Sequence, residues 1–285
     1  MKFPSIYKII GWSSAIVFAA RGMQMFVSDS PIRILLWDEN LMKPIVENYL
    51  SISWENWTND FNLENRIALL SKLTGLLFFS CALSSIVLAY KLKINKTVQL
   101  FLKALIWIGL FSLILMYFLY AKDKSYRATE FLEYALQWGS PLMLLLYPFL
   151  NSIQIDRLTR TLIALVFFSH GLYAIGFYAI PSSYISYTMS GFHLNESAAK
   201  NLLLLVGYID ITFSIFIYSK KVTHFSIYYF IIWGFMTTVA RLWCNWHPEM
   251  WEISVRQYFH EMLVRVPHFL IPFTLWKSMS TAVSE

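Results

Sequence analysis

With Lys72 and Lys103 set aside as residues near span ends that can snorkel, eight ionisable side chains stand out inside otherwise apolar stretches of this 285-residue chain: Arg21, Arg241 and Arg265; Glu133, Asp210 and Glu261; His170 and His268. Such groups are costly in hydrocarbon, so they face a bundle interior and mark function. An imidazole titrates near neutral pH, and a neighbouring carboxylate tunes it. His170, Asp210 and His268 are therefore the candidate catalytic groups, as proton-exchanging side chains built on a His–Asp pair. Guanidinium groups hold anionic or carbonyl oxygens. Arg21, Arg241 and Arg265, with Glu133 and Glu261, form the candidate ligand-binding set. In the last apolar stretch Tyr258, Glu261, Arg265 and His268 recur at i, i+3, i+7 and i+10, which places them on one helical stripe. Pro267 removes a backbone hydrogen bond beside them and predicts a kink.

Other chemistries fit less well. "HEMLV" (260–264) begins like a zinc-binding helix, but position 264 is Val, so the paired imidazoles one turn apart are missing and no metal site is assigned. Two mid-span imidazoles can hold a b-type haem, which needs facing geometry; a helical His more commonly hydrogen-bonds across a bundle. No phosphate-cradling loop and no Ser-centred nucleophile elbow occurs. A plainer reading stands beside these: the three arginines and three carboxylates neutralise one another and only fix helix packing.

The elements that must position these groups follow from composition. Hydrophobic residues make up 57% of the chain and charged residues 14%, where a soluble domain carries about one quarter charged. Mean hydropathy is +0.51. The expected fold is all-α, a polytopic transmembrane bundle forming a single domain over 1–285. About eight spans are expected, near 5–27, 66–90, 98–120, 130–150, 161–180, 200–219, 224–243 and 258–277. "FAARG" only loosely resembles a cleavage site, so the first span is expected to stay as an anchor. The connection 28–65 mixes apolar and acidic residues and predicts short interfacial helices on the extracytoplasmic side. Cys81 and Cys244 give no disulfide framework.

Orientation follows from the basic residues. The termini and even-numbered connections carry Lys2, Lys8, Lys91, Lys93, Lys96, Arg157, Arg160, Lys220, Lys221 and Lys277 against only Asp156 and Glu285. Both termini are therefore placed in the cytoplasm, and the net charge of +6 belongs to the membrane surface rather than to nucleic acid. His170, Asp210 and His268 then fall near mid-depth and the other five groups in the outer half. A polar cavity opening outward is expected. The aromatic "WCNWHPEMW" (243–251) would be its lid or belt, and "LLWDE" (35–39) a further cover.

The segments "RGMQMF…PIRILLWDE", "HGLYAIG", "VGYIDI" and "VRVPHFLIPFTLW" resemble bacterial DoxX-like membrane proteins and the related HTTM domain of vitamin-K-dependent carboxylases. The resemblance implies a bacterial inner-membrane helical bundle linked to quinone or thiol redox systems, with Arg21, His170, Asp210, Arg265 and His268 as positions of interest. The chain has no large extramembrane catalytic segment, so carboxylation is set aside. The expected function is binding of a small amphiphile, a quinone or lipid-like molecule, in a redox-associated or accessory role. The cofactor is otherwise undefined. The alternatives are a proton-coupled small-solute transporter and a structural subunit that partners other membrane proteins.

Overall fold

Several helix starts in this chain are fixed by small polar caps rather than by the first apolar residue. In the computed structural model, which describes residues 6–28, 31–90 and 94–282, the elements are α1 (Ile6–Val27), α2 (Ile32–Leu36), α3 (Glu39–Tyr49), α4 (Trp54–Thr58), α5 (Phe61–Ala89), α6 (Lys96–Asp123), α7 (Ala128–Leu132), α8 (Ala135–Leu146), α9 (Ser152–Ala174), α10 (Ser182–Phe192), α11 (Glu196–Phe216), α12 (Thr223–Trp243), α13 (Trp251–Val264) and α14 (Pro267–Ala282). Lys2, Lys91, Lys93 and Glu285, which enter the charge pattern, lie outside the described residues. Asp60 caps α5, Asn95 caps α6 and Asn195 caps α11, while Asn151 and Gln154 form a capping box on α9. These side chains satisfy amide donors that a helix start leaves unpaired. That is why α5, α9 and α11 begin earlier than hydropathy places them.

The described residues are all-helical, without a strand. Four helices, α5, α6, α11 and α12, are long and apolar enough to cross a membrane. Their outward faces carry exposed large apolar residues, among them Leu73, Leu83, Phe111, Leu205, Ile215 and Ile232. Such a belt is stable only against hydrocarbon or a partner. α1 is the central post and packs on α5, α8, α13 and α14. Serine pairs stitch it to its neighbours, Ser13 to Ser140 at 2.8 Å and Ser14 to Ser85 at 2.9 Å. The short helices α2, α3, α4, α7 and α10 sit where α1, α6 and α9 end and where α5 and α11 begin, and this is termed the capped end.

Two of the expected spans are not continuous. The fourth divides into α7 and α8 at Glu133–Tyr134, and the eighth into α13 and α14 at Arg265–Val266. Pro267 therefore does more than kink the last stretch; its ring cannot sit over the preceding turn, and a new helix starts from it. The carbonyl freed at Arg265 is taken up by the amide of His268 (2.9 Å) and the hydroxyl of Thr238 (3.0 Å). The segment after α9 holds a further helix, α10, where only a loop was expected between spans.

Candidate functional site

The break before Pro267 sets the site. Arg265 is the C-cap of α13, and it projects from an interrupted backbone rather than from a regular helix face. It lies deep in the bundle, and the part of its surface left accessible lines two cavities. Its guanidinium makes no hydrogen bond or ion pair with any described residue. Its nearest charged neighbours, Arg241 and Glu133, act on it only through space.

The same break positions His268. Its Nδ1 lies 2.9 Å from the carbonyl oxygen of Arg265. A carbonyl can only accept, so Nδ1 carries a proton, and in the neutral form of the ring Nε2 is then the acceptor. That Nε2 is buried without a partner. The His170 ring stacks on it with centroids 5.5 Å apart and planes 12° from parallel. The His170 Nε2 is also unpartnered, with the Glu133 carboxylate 3.9 Å away, beyond hydrogen-bond reach. Tyr184 of α10 reaches Glu133 at 3.5 Å. Axial haem ligation needs two nitrogens aimed at one iron from opposite faces of the porphyrin, and face-stacked rings do not provide that. Among the described residues no three His, Cys, Asp or Glu side chains gather to hold a metal ion.

The expected His–Asp pair does not form. Asp210, buried on α11, accepts a 2.7 Å hydrogen bond from Tyr229, with the Trp233 indole beside it. Because α11 starts at Glu196, Asp210 lies farther from the capped end than hydropathy implied, and two aromatic donors from α12 reach it first. The carboxylate that faces His170 is Glu133 instead.

Close backbone approach makes this layout possible. A Cβ on Gly207 would lie 2.9 Å from the Ile175 amide nitrogen, and one on Gly171 would lie 2.8 Å from the Gly207 carbonyl, so α9 and α11 touch backbone to backbone. Beyond that contact α11 and α12 diverge and leave a cavity of about 370 Å³. Leu203, Val206 and Asp210 line it from α11, at helical spacing. Tyr184, Tyr187, Thr188 and Gly191 form its roof from α10, and Trp233, Thr237, Ala240 and Arg241 its wall from α12. The lining is mostly apolar, and its ionisable members other than tyrosine and cysteine are His170, Asp210, Arg241 and Arg265. Phe192, Phe235, Met236 and Trp243 on its rim are exposed, so the opening faces the same surroundings as the apolar belt.

Arg241 and Arg265 also line a second cavity of about 330 Å³ toward the capped end, together with Arg21, Gln24, Tyr120, Asp123, Lys124, Glu130, Tyr134, Gln137 and Glu261. The arginine pair is thus the partition between an apolar chamber and a polar one. Arg241 packs over the Tyr187 ring at 4.7 Å and meets Glu261 only at 3.9 Å. Arg21 differs from both. It bonds Gln24, Gln137 (2.8 Å) and Tyr117 (3.3 Å), and its guanidinium sits 5.0 Å from the Tyr117 ring centre and 5.7 Å from those of Tyr120 and Tyr134. Its donors are largely satisfied from within.

The eight candidates are therefore brought around two adjoining chambers. His170, Asp210, Arg241 and Arg265 line the apolar one; Arg21, Glu261, Arg241 and Arg265 line the polar one; Glu133 and His268 back the junction. The stripe of the last stretch is divided by the break, and Tyr258 and Glu261 share a separate outer recess with Arg256. Sequence reasoning missed Tyr184, Tyr187, Glu130 and Gln137. "LLWDE" does lie at the capped end, where the Asp38 carboxylate accepts from Lys122 of α6. Trp243 and Cys244 of "WCNWHPEMW" reach the apolar chamber. No family model, no curated protein and no solved structure matches the chain.

Proposed function

We propose that the protein is a polytopic membrane protein of a bacterial inner membrane, with about eight membrane crossings and both termini cytoplasmic. In this reading α7–α8 and α13–α14 each cross as broken helices. The function is to bind a small amphiphile, quinone or lipid-like, in a redox-associated or accessory role. The apolar part enters between α11 and α12 from the bilayer, and the polar part is held by Arg241 and Arg265. His170 and His268, with Glu133 behind them, exchange protons with the bound group. Asp210 sets the deep end of the chamber.

One observation carries this reading: the Arg265 guanidinium sits deep in the bundle, without a partner, at the end of an apolar chamber. A buried unpaired charge is destabilising, and a ligand oxygen compensates it. Thermal unfolding of the purified protein in detergent, with and without oleate, decylubiquinone or phospholipid, tests it. At least one amphiphile should raise the midpoint, as mass action requires. Arg265→Ala should lower that response by about half or more. An Arg265→Ala protein that responds to every amphiphile like the parent would end the reading.

The two broken helices favour a second reading, proton-coupled transport of a small solute, because interrupted helices are a common transporter device. Solute uptake by proteoliposomes under an imposed pH gradient separates the two.

A further inference from the structure

The polar chamber specifies more about the occupant than the word amphiphile does. An apolar chain lying between α11 and α12 reaches the arginine pair first and the polar chamber next. Of these two chambers Glu130 and Glu261 line the polar one alone, Glu261 also reaching the outer recess, and Arg241 and Arg265 line both. Arg21 shares the polar chamber, one hydrogen bond running from each of its nitrogens to Tyr117, Gln24 and Gln137, and its single positive charge is outnumbered there by the two carboxylates. Lys124 and Asp123 stand at the exposed rim, 3.9 Å from one another, and cancel. The charges an occupant meets are thus cationic at the partition and anionic beyond it. Glu130 accepts from Tyr173 at 2.9 Å and Tyr134 at 3.4 Å, which leaves it some capacity. Glu261 accepts no hydrogen bond from a described residue, and its one ion pair among the described residues is with Arg241 at 3.9 Å.

Arg241 and Arg265 at the partition stand before Glu130 and Glu261 of the polar chamber, so opposite charges are separated along the path of an occupant. An occupant with one sign of charge matches only one of the two sets. A neutral quinone offers nothing to Glu261. A fatty-acid carboxylate satisfies the arginines and leaves the polar chamber without a counterpart. A head with separated opposite charges matches both ends.

Resting on the amphiphile reading above, we propose that the ligand is a zwitterionic phospholipid with a primary amine. Its phosphate lies between Arg241 and Arg265, its ammonium sits beside Glu261 and Glu130, and its acyl chain fills the apolar chamber. The phosphate accepts charge-assisted hydrogen bonds from the unpartnered Arg265, and the ammonium donates to Glu261.

Native mass spectrometry of delipidated protein tests this, with added phosphatidylethanolamine, phosphatidylglycerol and phosphatidic acid of identical chains, and with decylubiquinone. The parent should retain phosphatidylethanolamine about tenfold better than phosphatidylglycerol, a difference of one decade in Kd. Glu261→Gln, at a partly exposed position that does not threaten folding, should reduce that preference to within about threefold while keeping phosphatidylglycerol binding. Arg265→Ala should weaken every phospholipid. Equal or better retention of phosphatidylglycerol by the parent overturns the proposal. So does an undiminished preference in the Glu130→Gln, Glu261→Gln double variant. Binding of decylubiquinone without phospholipid overturns it too, while leaving the amphiphile reading in place. Retention of no amphiphile at all removes that reading as well.

Discussion

At the scale of single residues, Arg21 and Arg265 are the same side chain put to opposite uses. Arg21 is caged by Gln24, Gln137 and three tyrosines, so its removal should be felt in stability. Arg21→Met removes the charge-assisted hydrogen bonds to Gln137 and Tyr117, which keep only the bond they make to each other at 2.8 Å, and should cost about 1.5–3 kcal/mol. Equilibrium unfolding in mixed micelles measures it. Arg265 has no such cage, so its substitution should change ligand response more than the unfolding midpoint. The sequence pointed to both arginines equally, because a charge in an apolar run is conspicuous whatever it does. It was silent on the difference, because that depends on Gln137, Tyr117, Tyr184 and Tyr187. Neutral polar and aromatic residues are ordinary inside membrane helices and carry no signal of their own. Asp210 was equally visible, but its partner was not: the Tyr229 hydroxyl comes from another helix, in a register that only packing sets.

At the scale of elements, the apolar runs were legible and their interruptions only partly so. Pro267 marks the second break. Nothing comparable marks the first, where "FLEYALQ" contains neither Gly nor Pro and the chain turns at Glu133–Tyr134. Helix α10 was hidden because its sequence is polar at intervals and bounded by loops. Spacing between helices is set by glycines, and Gly234 is the tightest case against a neighbouring backbone. A methyl group there would overlap the His268 carbonyl, so Gly234→Ala must push α12 from α14. We expect a loss of about 1–3 kcal/mol, the usual effect of overpacking, with a weaker ligand response. The cover formed by α2 and α3 is held to α6 by the Asp38–Lys122 pair, and Asp38 also caps α3 by accepting from Leu41 at 3.0 Å. The hydrogen bond from Lys122 holds the Asp38 carboxyl below its ordinary value of 3.8. A depressed folded-state value means that the stabilisation is complete above the ordinary value and fades as pH falls through the lower one. Amide exchange in α2–α3, taken relative to the intrinsic amide rate at each pH, should therefore stay slow at neutral pH and rise only in strong acid. Asp38→Asn should raise it at every pH.

At the scale of the whole molecule, orientation decides which solution meets the capped end. With both termini cytoplasmic, that end faces outward. In a background lacking the native thiols, a cysteine at exposed Asn59 should react with an impermeant maleimide added to whole cells, and one at exposed Lys220 should not. The reverse pattern would invert the topology and place the polar chamber inside. The native thiols themselves have a practical consequence. Cys81 is enclosed between α5 and α6, whereas Cys244 borders the apolar chamber. Alkylation of the unaltered protein therefore reports on one position, and whatever fills the chamber shields it. The molecule thus comes with its own footprinting label, readable by mass alone before any occupant has been identified.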